Sequence, residues 1–358
     1  MLQQLQSLVN TSEQCDLQKA DFVAAARSFS FDEQARIVPP TSGGFSSAPL
    51  AMTEHSLRQV CSKLGAAVFG KGTSKGLPHD YLSAIPKDLL ADNLNRHLTA
   101  SNGNKWMVRG YGESARAVLA GNYPGGTDAA GDFENTQYLR AVTTLAEGQL
   151  EQFPDMKLIR PTITADDLHI KMTWRDVDTK GDGGNGNYGV GVYIGNGEIG
   201  NRKLTVYPLI QRTSCTNSII FSGENGLEMV HRGSLNAMRI QFKAAIGRIF
   251  SASAELLDKM IAAEEQTIPD FEATLAGLAL KHGWAEPVRD GVFIGTEGKQ
   301  TRAAIVNGVT YAAHTAVGDA GEQVEMEILG GAILTAPDSL FTQAAKAYRR
   351  EQAGIEVR

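Results

Sequence analysis

Little in this sequence points to secretion, a membrane or a bound metal. It has three cysteines, Cys15, Cys61 and Cys215, an odd number with no paired spacing. That excludes a disulfide framework and points to a reducing compartment. No basic stretch followed by an apolar core opens the chain, so no signal peptide is expected. No apolar run approaches the ~20 residues needed to span a bilayer. The expectation is a cytoplasmic protein with no membrane partner. The phosphate-binding loop Gly-x-x-x-x-Gly-Lys-Ser/Thr is absent, so no ATP is implied. The histidines are His55, His79, His97, His169, His231, His282 and His314. None pairs with another His or a Cys at metal-ligand spacing, so no zinc site is expected. No cofactor follows from these patterns. His314, beside Thr310 and Tyr311, is the histidine to follow.

Glycine, by contrast, is abundant. There are 38 in 358 residues, many of them between 103 and 233, where tight turns are expected. A chain this long buries roughly three quarters of its unfolded surface, enough for a sizeable core. Length suggests two domains, or one large domain with extensions. The densest information lies between Tyr188 and Asn217. There, two apolar strand-like runs flank the connection Gly195-Asn196-Gly197-Glu198-Ile199-Gly200-Asn201-Arg202-Lys203. A polar patch, Arg212 to Asn217, follows.

Patterning divides the chain into three. Residues 1–50 read as an arm and linker, with short helices at Met1–Val9 and Asp21–Arg27 and a Pro39-Pro40-Ser42-Gly43-Gly44 break. Such an arm docks either on a neighbouring subunit or on its own domain. Residues 51–266 read as an α+β core. Thr53 is a candidate cap for a helix carrying Leu57, Val60 and Leu64. Leu77–Leu98 gives a second helical stretch, and Lys105–Tyr123 a strand, turn and strand. Phe133–Phe153 reads as a helix. Four strands are expected at Lys157–Thr162, Asp167–Trp174, Tyr188–Ile194 and Leu204–Gln211. In the second, Leu168, Ile170 and Met172 alternate with His169, Lys171 and Thr173. Asp176–Asn187 reads as an acidic, Gly/Asn-rich loop. Residues 234–266 form the strongest helix, with Ser234 as cap and Leu235, Met238, Phe242, Ile246, Ile249, Leu256 and Met260 as one apolar stripe. Residues 267–358 read as mixed and largely helical, with 300–335 ambiguous.

Several motifs carry two readings. Gly195-x-Gly197-x-x-Gly200 matches the dinucleotide fingerprint, but that motif needs a helix after it and a strand follows here. A hairpin or crossover turn is the better reading. Cys215 lacks an evident base, so a structural thiol outweighs a nucleophile paired with His231. Asp166-Asp167 and Asp176, Asp178 and Asp182 could hold a divalent ion for nuclease chemistry. They lack ordered calcium-loop spacing, which favours a solvated turn.

Charge is more suggestive. The net charge is −6, yet residues 200–250 carry seven cations, Arg202, Lys203, Arg212, Arg232, Arg239, Lys243 and Arg248, against Glu224 and Glu228. From 251 to 330 acidic residues dominate. Arg239 and Lys243 lie a turn apart near the start of the long helix, where cations oppose the macrodipole unless an anion sits nearby. The alternative is an ordinary salt-bridged surface. Aromatics intersperse with these cations: Trp106 near Lys105 and Arg109, Tyr111 near Arg116, Tyr193 and Tyr207 flanking Arg202. A basic groove with aromatic platforms is how single strands are held.

An ordered set of segments resembles family 932 of domains of unknown function, whose members are common among phage and plasmid-like proteins. The set comprises Thr53–Cys61, Leu89–Leu98, Arg116–Leu119 with Tyr123, Ile194–Gly200, Arg212–Asn217 and Val306–His314, spanning about residues 50 to 330. The family name implies no reaction. The order of strands followed by a long helix is similar to RecT/Redβ-type single-strand annealing proteins. The expected fold is α+β: a curved, mainly antiparallel sheet from about 105 to 221 on one long amphipathic helix, with flanking helical segments. The expected function is a single-stranded DNA-binding protein, acting as a homo-oligomer in strand annealing. Arg202, Lys203, Arg212, Arg239 and Lys243, with Arg109, would contact phosphates, and Trp106 or Tyr111 would stack on bases. The alternatives are an interaction protein of a mobile element, such as an anti-defence protein binding through the acidic C-terminal part, and a metal-dependent nuclease.

Overall fold

The computed structural model describes all residues except 42–47, 70–76, 101–103, 121–134, 150–155, 165, 180–185, 213–216, 224–225, 230–234 and 355–358. Cys215, His231, Arg232, Ser234 and Asp182, together with the Ser42-Gly43-Gly44 break, lie outside the described residues.

The chain opens with helix α1 (Leu2–Asp16) and strand β1 (Lys19–Ala25), followed by a small ribbon of β2 (Ser30–Phe31) and β3 (Ile37–Val38). Next come β4 (Ala51–Met52), α2 (Glu54–Phe69), α3 (His79–Ala84), α4 (Lys87–Ala100), β5 (Lys105–Tyr111) and β6 (Ser114–Ala120). One four-stranded sheet has the order β1-β5-β6-β4. Helices α2 and α4 cover it through Leu57, Val60, Leu64, Leu90, Leu94 and Leu98, which meet Trp106, Val108 and Val118. Of the Asp21–Arg27 helix expected from sequence, Asp21–Ala25 is strand, paired antiparallel with β5 from Lys19↔Tyr111 to Ala25↔Lys105, and a single 3₁₀ turn, Ala26–Ser28, follows. Among the described residues, β1 and the β2–β3 ribbon of the first 41 dock on their own chain.

A second, six-stranded sheet holds β7 (Lys157–Ile163), β8 (Asp167–Thr179), β9 (Gly186–Gly197), β10 (Leu204–Arg212), β11 (Ser218–Ile220) and β12 (Leu227–Met229). All its pairings are antiparallel. The acidic loop shrinks, because β8 and β9 pair out to Thr179↔Gly186. The fold is α+β, but residues 105–221 form parts of two sheets rather than one.

Period-two patterning gives the second sheet two unlike faces. Leu168, Ile170, Met172 and Trp174 on β8, Val190, Val192 and Ile194 on β9, and Leu204, Val206 and Ile210 on β10 join the main core. Helix α5 (Asn135–Gln149) and α6 (Leu235–Glu265) contribute Leu139, Val142, Phe242, Ile246, Ile249 and Met260 to that core. At 31 residues, α6 is about 46 Å long, and it packs against β9, β10 and β12. The opposite face meets α10 (Ala320–Thr335) through Val324 and Ile328. Helices α7 (Phe271–His282), α8 (Glu286–Gly295), α9 (Arg302–Thr315) and α11 (Ser339–Gln352) complete the C-terminal part. Among the described residues, no helix is long and apolar enough to cross a membrane.

Candidate nucleic-acid interface

The unlike face of the second sheet collects polar and aromatic side chains. Alternation on β8 puts His169, Lys171 and Thr173 there, all buried. On β9 the same parity reads Gly189, Gly191, Tyr193, Gly195, Gly197. The glycine-rich signal is thus one glycine strip on one strand face. Two of these glycines are enforced by packing. A Cβ at Gly191 would sit 1.9 Å from the Met172 carbonyl oxygen, and one at Gly195 would sit 2.2 Å from the Tyr193 hydroxyl. On β10 the face carries Thr205, Tyr207 and Leu209.

These groups form a connected row. His169 Nδ1 lies 2.8 Å from the Tyr193 hydroxyl. The His169 and Tyr193 rings stack at 6.1 Å, and the Tyr193 and Tyr207 rings at 6.4 Å. The Tyr207 hydroxyl donates to Glu228. Burial, reinforced by the charges of Arg202 and Lys171, pushes His169 down to about 4. Burial likewise raises Tyr193 and Tyr207, and the Glu228 carboxylate adds to the rise of Tyr207. At neutral pH the imidazole is uncharged and both phenols are protonated.

Each described cation on this face has a carboxylate partner. Lys171 pairs with fully buried Glu327 of α10, which also lies 3.0 Å from His314 Nε2. Arg202 lies 3.6 Å from Asp167 and 3.5 Å from Glu325, and its Nε is buried with no hydrogen-bond partner. Lys203 pairs with Glu228 at 2.6 Å. Asp167 accepts from Asn201 at 2.9 Å, and burial raises its carboxyl above the usual value.

The remaining expected contacts are dispersed. Arg212 lies at the far end of β10 from Arg202, on the order of 30 Å along the strand, and pairs with Glu297 at 3.6 Å. Arg239 and Lys243 belong to α6, on the other face of the sheet; their side chains are outside the described residues. Arg202 meets α10 on its own side of the sheet, and the groove expected between the 202–203 turn and the start of the long helix falls on side chains outside the described residues. Trp106 is 3% exposed and packs on Phe29 at 6.1 Å. Its ring is core, not a stacking platform. Arg109 is buried in a two-bond pair with Asp21, at 2.9 and 2.7 Å, and donates to the Glu198 carbonyl at 3.1 Å. Tyr111 is half-buried at the end of β5, and a hydrogen bond with the Cys15 thiol holds its phenol above the ordinary value.

The Gly195–Lys203 connection proves to be the joint between the two sheets. Gly195 and Gly197 end β9, Gly200 turns at φ +75°, and β10 follows. No helix N-terminus is present to hold a pyrophosphate. Buried Glu198 pairs with Lys19 and accepts from the Asn135 amide at 2.7 Å. The Ile199 carbonyl accepts from Gln59 at 2.9 Å. Of the carboxylates weighed for nuclease chemistry, Asp166 is clamped by Arg116 at 2.9 Å through Nε. Asp176 and Asp178 lie within β8, opposite Gly189 and Asn187. Among the described residues, no three His, Cys, Asp or Glu side chains cluster to hold a metal. Sequence reasoning did not assign Lys171, His169 or Glu327 to a site. The polar half of the β8 alternation was the available signal for the first two.

Comparison with protein-family models, curated proteins and solved structures gave no match. The resemblance to family 932 rests on the ordered motifs alone.

Proposed function

We propose that this chain is a phage- or plasmid-type protein that binds single-stranded DNA on the polar face of its six-stranded sheet and acts without ATP. The observation that carries this reading is the convergence of His169, Lys171, Tyr193 and Tyr207 on three adjacent strands, with Arg202 and Lys203 at one end. Tyrosines offer stacking surfaces to any base, and cations track the backbone. The glycine strip on β9 adds no side chains between those rings, which lie buried beneath α10. The order of antiparallel strands followed by α6 fits what the resemblance to annealing proteins implies.

The test is gel filtration at low salt, with and without a labelled 30-nucleotide strand. A large assembly that co-elutes with the strand is expected. An elution profile indifferent to the oligonucleotide overturns the reading.

A second reading has its own support. On α7 and α8, Leu280, Phe293 and Ile294 are exposed, the last two by 63% and 61%. Phe293 lines a cavity of about 360 Å³ together with Leu275, Ala279, Trp284 and Val292. Residues 251–330 hold thirteen acidic and five basic residues. An apolar groove bordered by Glu272, Asp290 and Arg289, in an acidic part of the chain, suits a partner protein with a basic amphipathic segment. Under this reading Phe293→Ser with Ile294→Ser abolishes capture of such a peptide, and an unchanged affinity refutes it.

A further inference from the structure

Helix α10 lies on the polar sheet face and offers it the chemistry of a nucleic-acid strand. Its carboxylates meet the cations: Glu327 on Lys171, and Glu325 on Arg202 at 3.5 Å. Its aliphatic side chains Val324 and Ile328 pack with Tyr193 and Tyr207, where bases would stack. The acidic contact to Arg202 is loose. Glu325 is 67% exposed, and the buried Nε of Arg202 makes no hydrogen bond. The guanidinium therefore retains donor capacity that a phosphate oxygen could take up.

The helix also has a place to bend. Gly330 and Gly331 are adjacent within it, and paired glycines weaken a helix and favour a kink. Beyond them Ile333 and Leu334 are fixed in the main core. Gly331 lies hard against β11, since a Cβ there would be 2.1 Å from the Ile220 carbonyl oxygen. The glycine pair divides α10 into an end, 332–335, fixed in the main core, and an acidic stretch, 320–329, whose Met326 and Leu329 border that same core and whose Glu327 meets His314 of α9. This stretch starts after Thr315, where α9 ends, and Gly318 lies in the connection.

We propose that the acidic arm of α10 is an autoinhibitory stand-in for the strand, pivoting at Gly330-Gly331 to uncover the sheet when single-stranded DNA competes for Lys171 and Arg202. This rests on the strand-binding reading above. It gives the α10 carboxylates a role: Glu327 on Lys171 and Glu325 on Arg202 leave before a phosphate enters, while Asp167 and Glu228 stay with the sheet.

The experiment uses the full chain as wild type, Glu325→Gln and Glu327→Gln. Glu325→Gln alters only an exposed side chain, so it keeps the test valid if the buried variant folds poorly. Two readouts are taken: affinity for a labelled 30-nucleotide strand, and amide exchange across α10 with and without that strand. We expect Glu325→Gln to bind several-fold more tightly than wild type. Bound strand should speed exchange at 320–329 and leave 332–335 protected. Strand binding with equal affinity in all three proteins and unchanged α10 exchange overturns the cover and leaves strand binding standing. Failure of all three proteins to bind at low salt overturns both.

Discussion

His169 Nδ1 sits 2.8 Å from the Tyr193 hydroxyl, and the pair marks the centre of the polar sheet face beneath α10. Burial holds the imidazole at about 4, against an ordinary value near 6.5 that returns on unfolding. Above pH ~6.5 both states are neutral and no penalty exists. As pH falls towards 4 the unfolded chain takes up a proton that the folded chain refuses. Stability then drops, by about 3 kcal/mol over the whole window. Buried Asp167 and Glu198, whose carboxyls are raised, work in the opposite direction nearer the carboxylate range. The His169→Gln comparison isolates the imidazole. Urea midpoints at pH 7.5 and pH 5 should converge for the variant and separate for wild type. Parallel profiles contradict the assignment.

Lys171 and Glu327 are both almost fully buried. Removing one charge strands the other in a low-dielectric site, at about 3–5 kcal/mol, whereas replacing both with apolar groups is far cheaper. Lys171→Met should therefore cost much of that amount. The double change with Glu327→Leu should recover most of it. A denaturation cycle showing simple additivity contradicts the pairing.

Arg109 gives a prediction that separates two roles. A phosphate contact would make Arg109→Met lose DNA while keeping its stability. The structure instead ties Arg109 to Asp21 and Glu198, bridging β1 to the joint between the sheets. The expected outcome is a loss of about 3–5 kcal/mol of stability, read by urea unfolding. An unchanged midpoint with weakened binding restores the sequence-based role.

Two glycines should respond in opposite directions to alanine. At Gly191 the new methyl meets backbone at 1.9 Å, and overpacking of this kind costs about 1–3 kcal/mol or more. At Gly247 no described atom lies within 4 Å of the new methyl, and alanine in an exposed helix interior gains roughly 0.5–1 kcal/mol. Melting temperatures moving the same way in both variants contradict the packing described.

What the sequence disclosed followed local periodicity. Strands β7 to β10 were readable because apolar side chains alternate along them, and α6 because Phe242, Ile246, Ile249, Leu256 and Met260 recur at helical spacing. Segment 21–27 reads as a helix because Asp-Phe-Val-Ala-Ala-Ala-Arg has no clear alternation; the strand form of Lys19–Ala25 comes from pairing with β5 far along the chain. Residues 300–335 were ambiguous because α9 buries Ala303, Ile305, Val306, Val309 and Ala312, which leaves no single stripe. The site was least legible. Basic clustering between 200 and 250 is real, but the partners that neutralise it, Asp167, Glu297 and Glu325, lie tens of residues away. Which side of a sheet a cation occupies is a property of the assembled layers. Arg202 meets α10 on one side of the sheet, while helix α6, which carries Arg239, packs on the other.

The most direct test titrates a fluorescent 30-nucleotide strand with wild type and with the Arg202→Gln, Lys203→Gln double variant across a salt series. For three or four phosphate contacts, log affinity should fall against log salt with a slope of roughly −2 to −3. The variant should bind weakly and with a shallower slope. A strand that stays free at low salt, or that binds both proteins alike, contradicts the polar sheet face as the place where DNA is held.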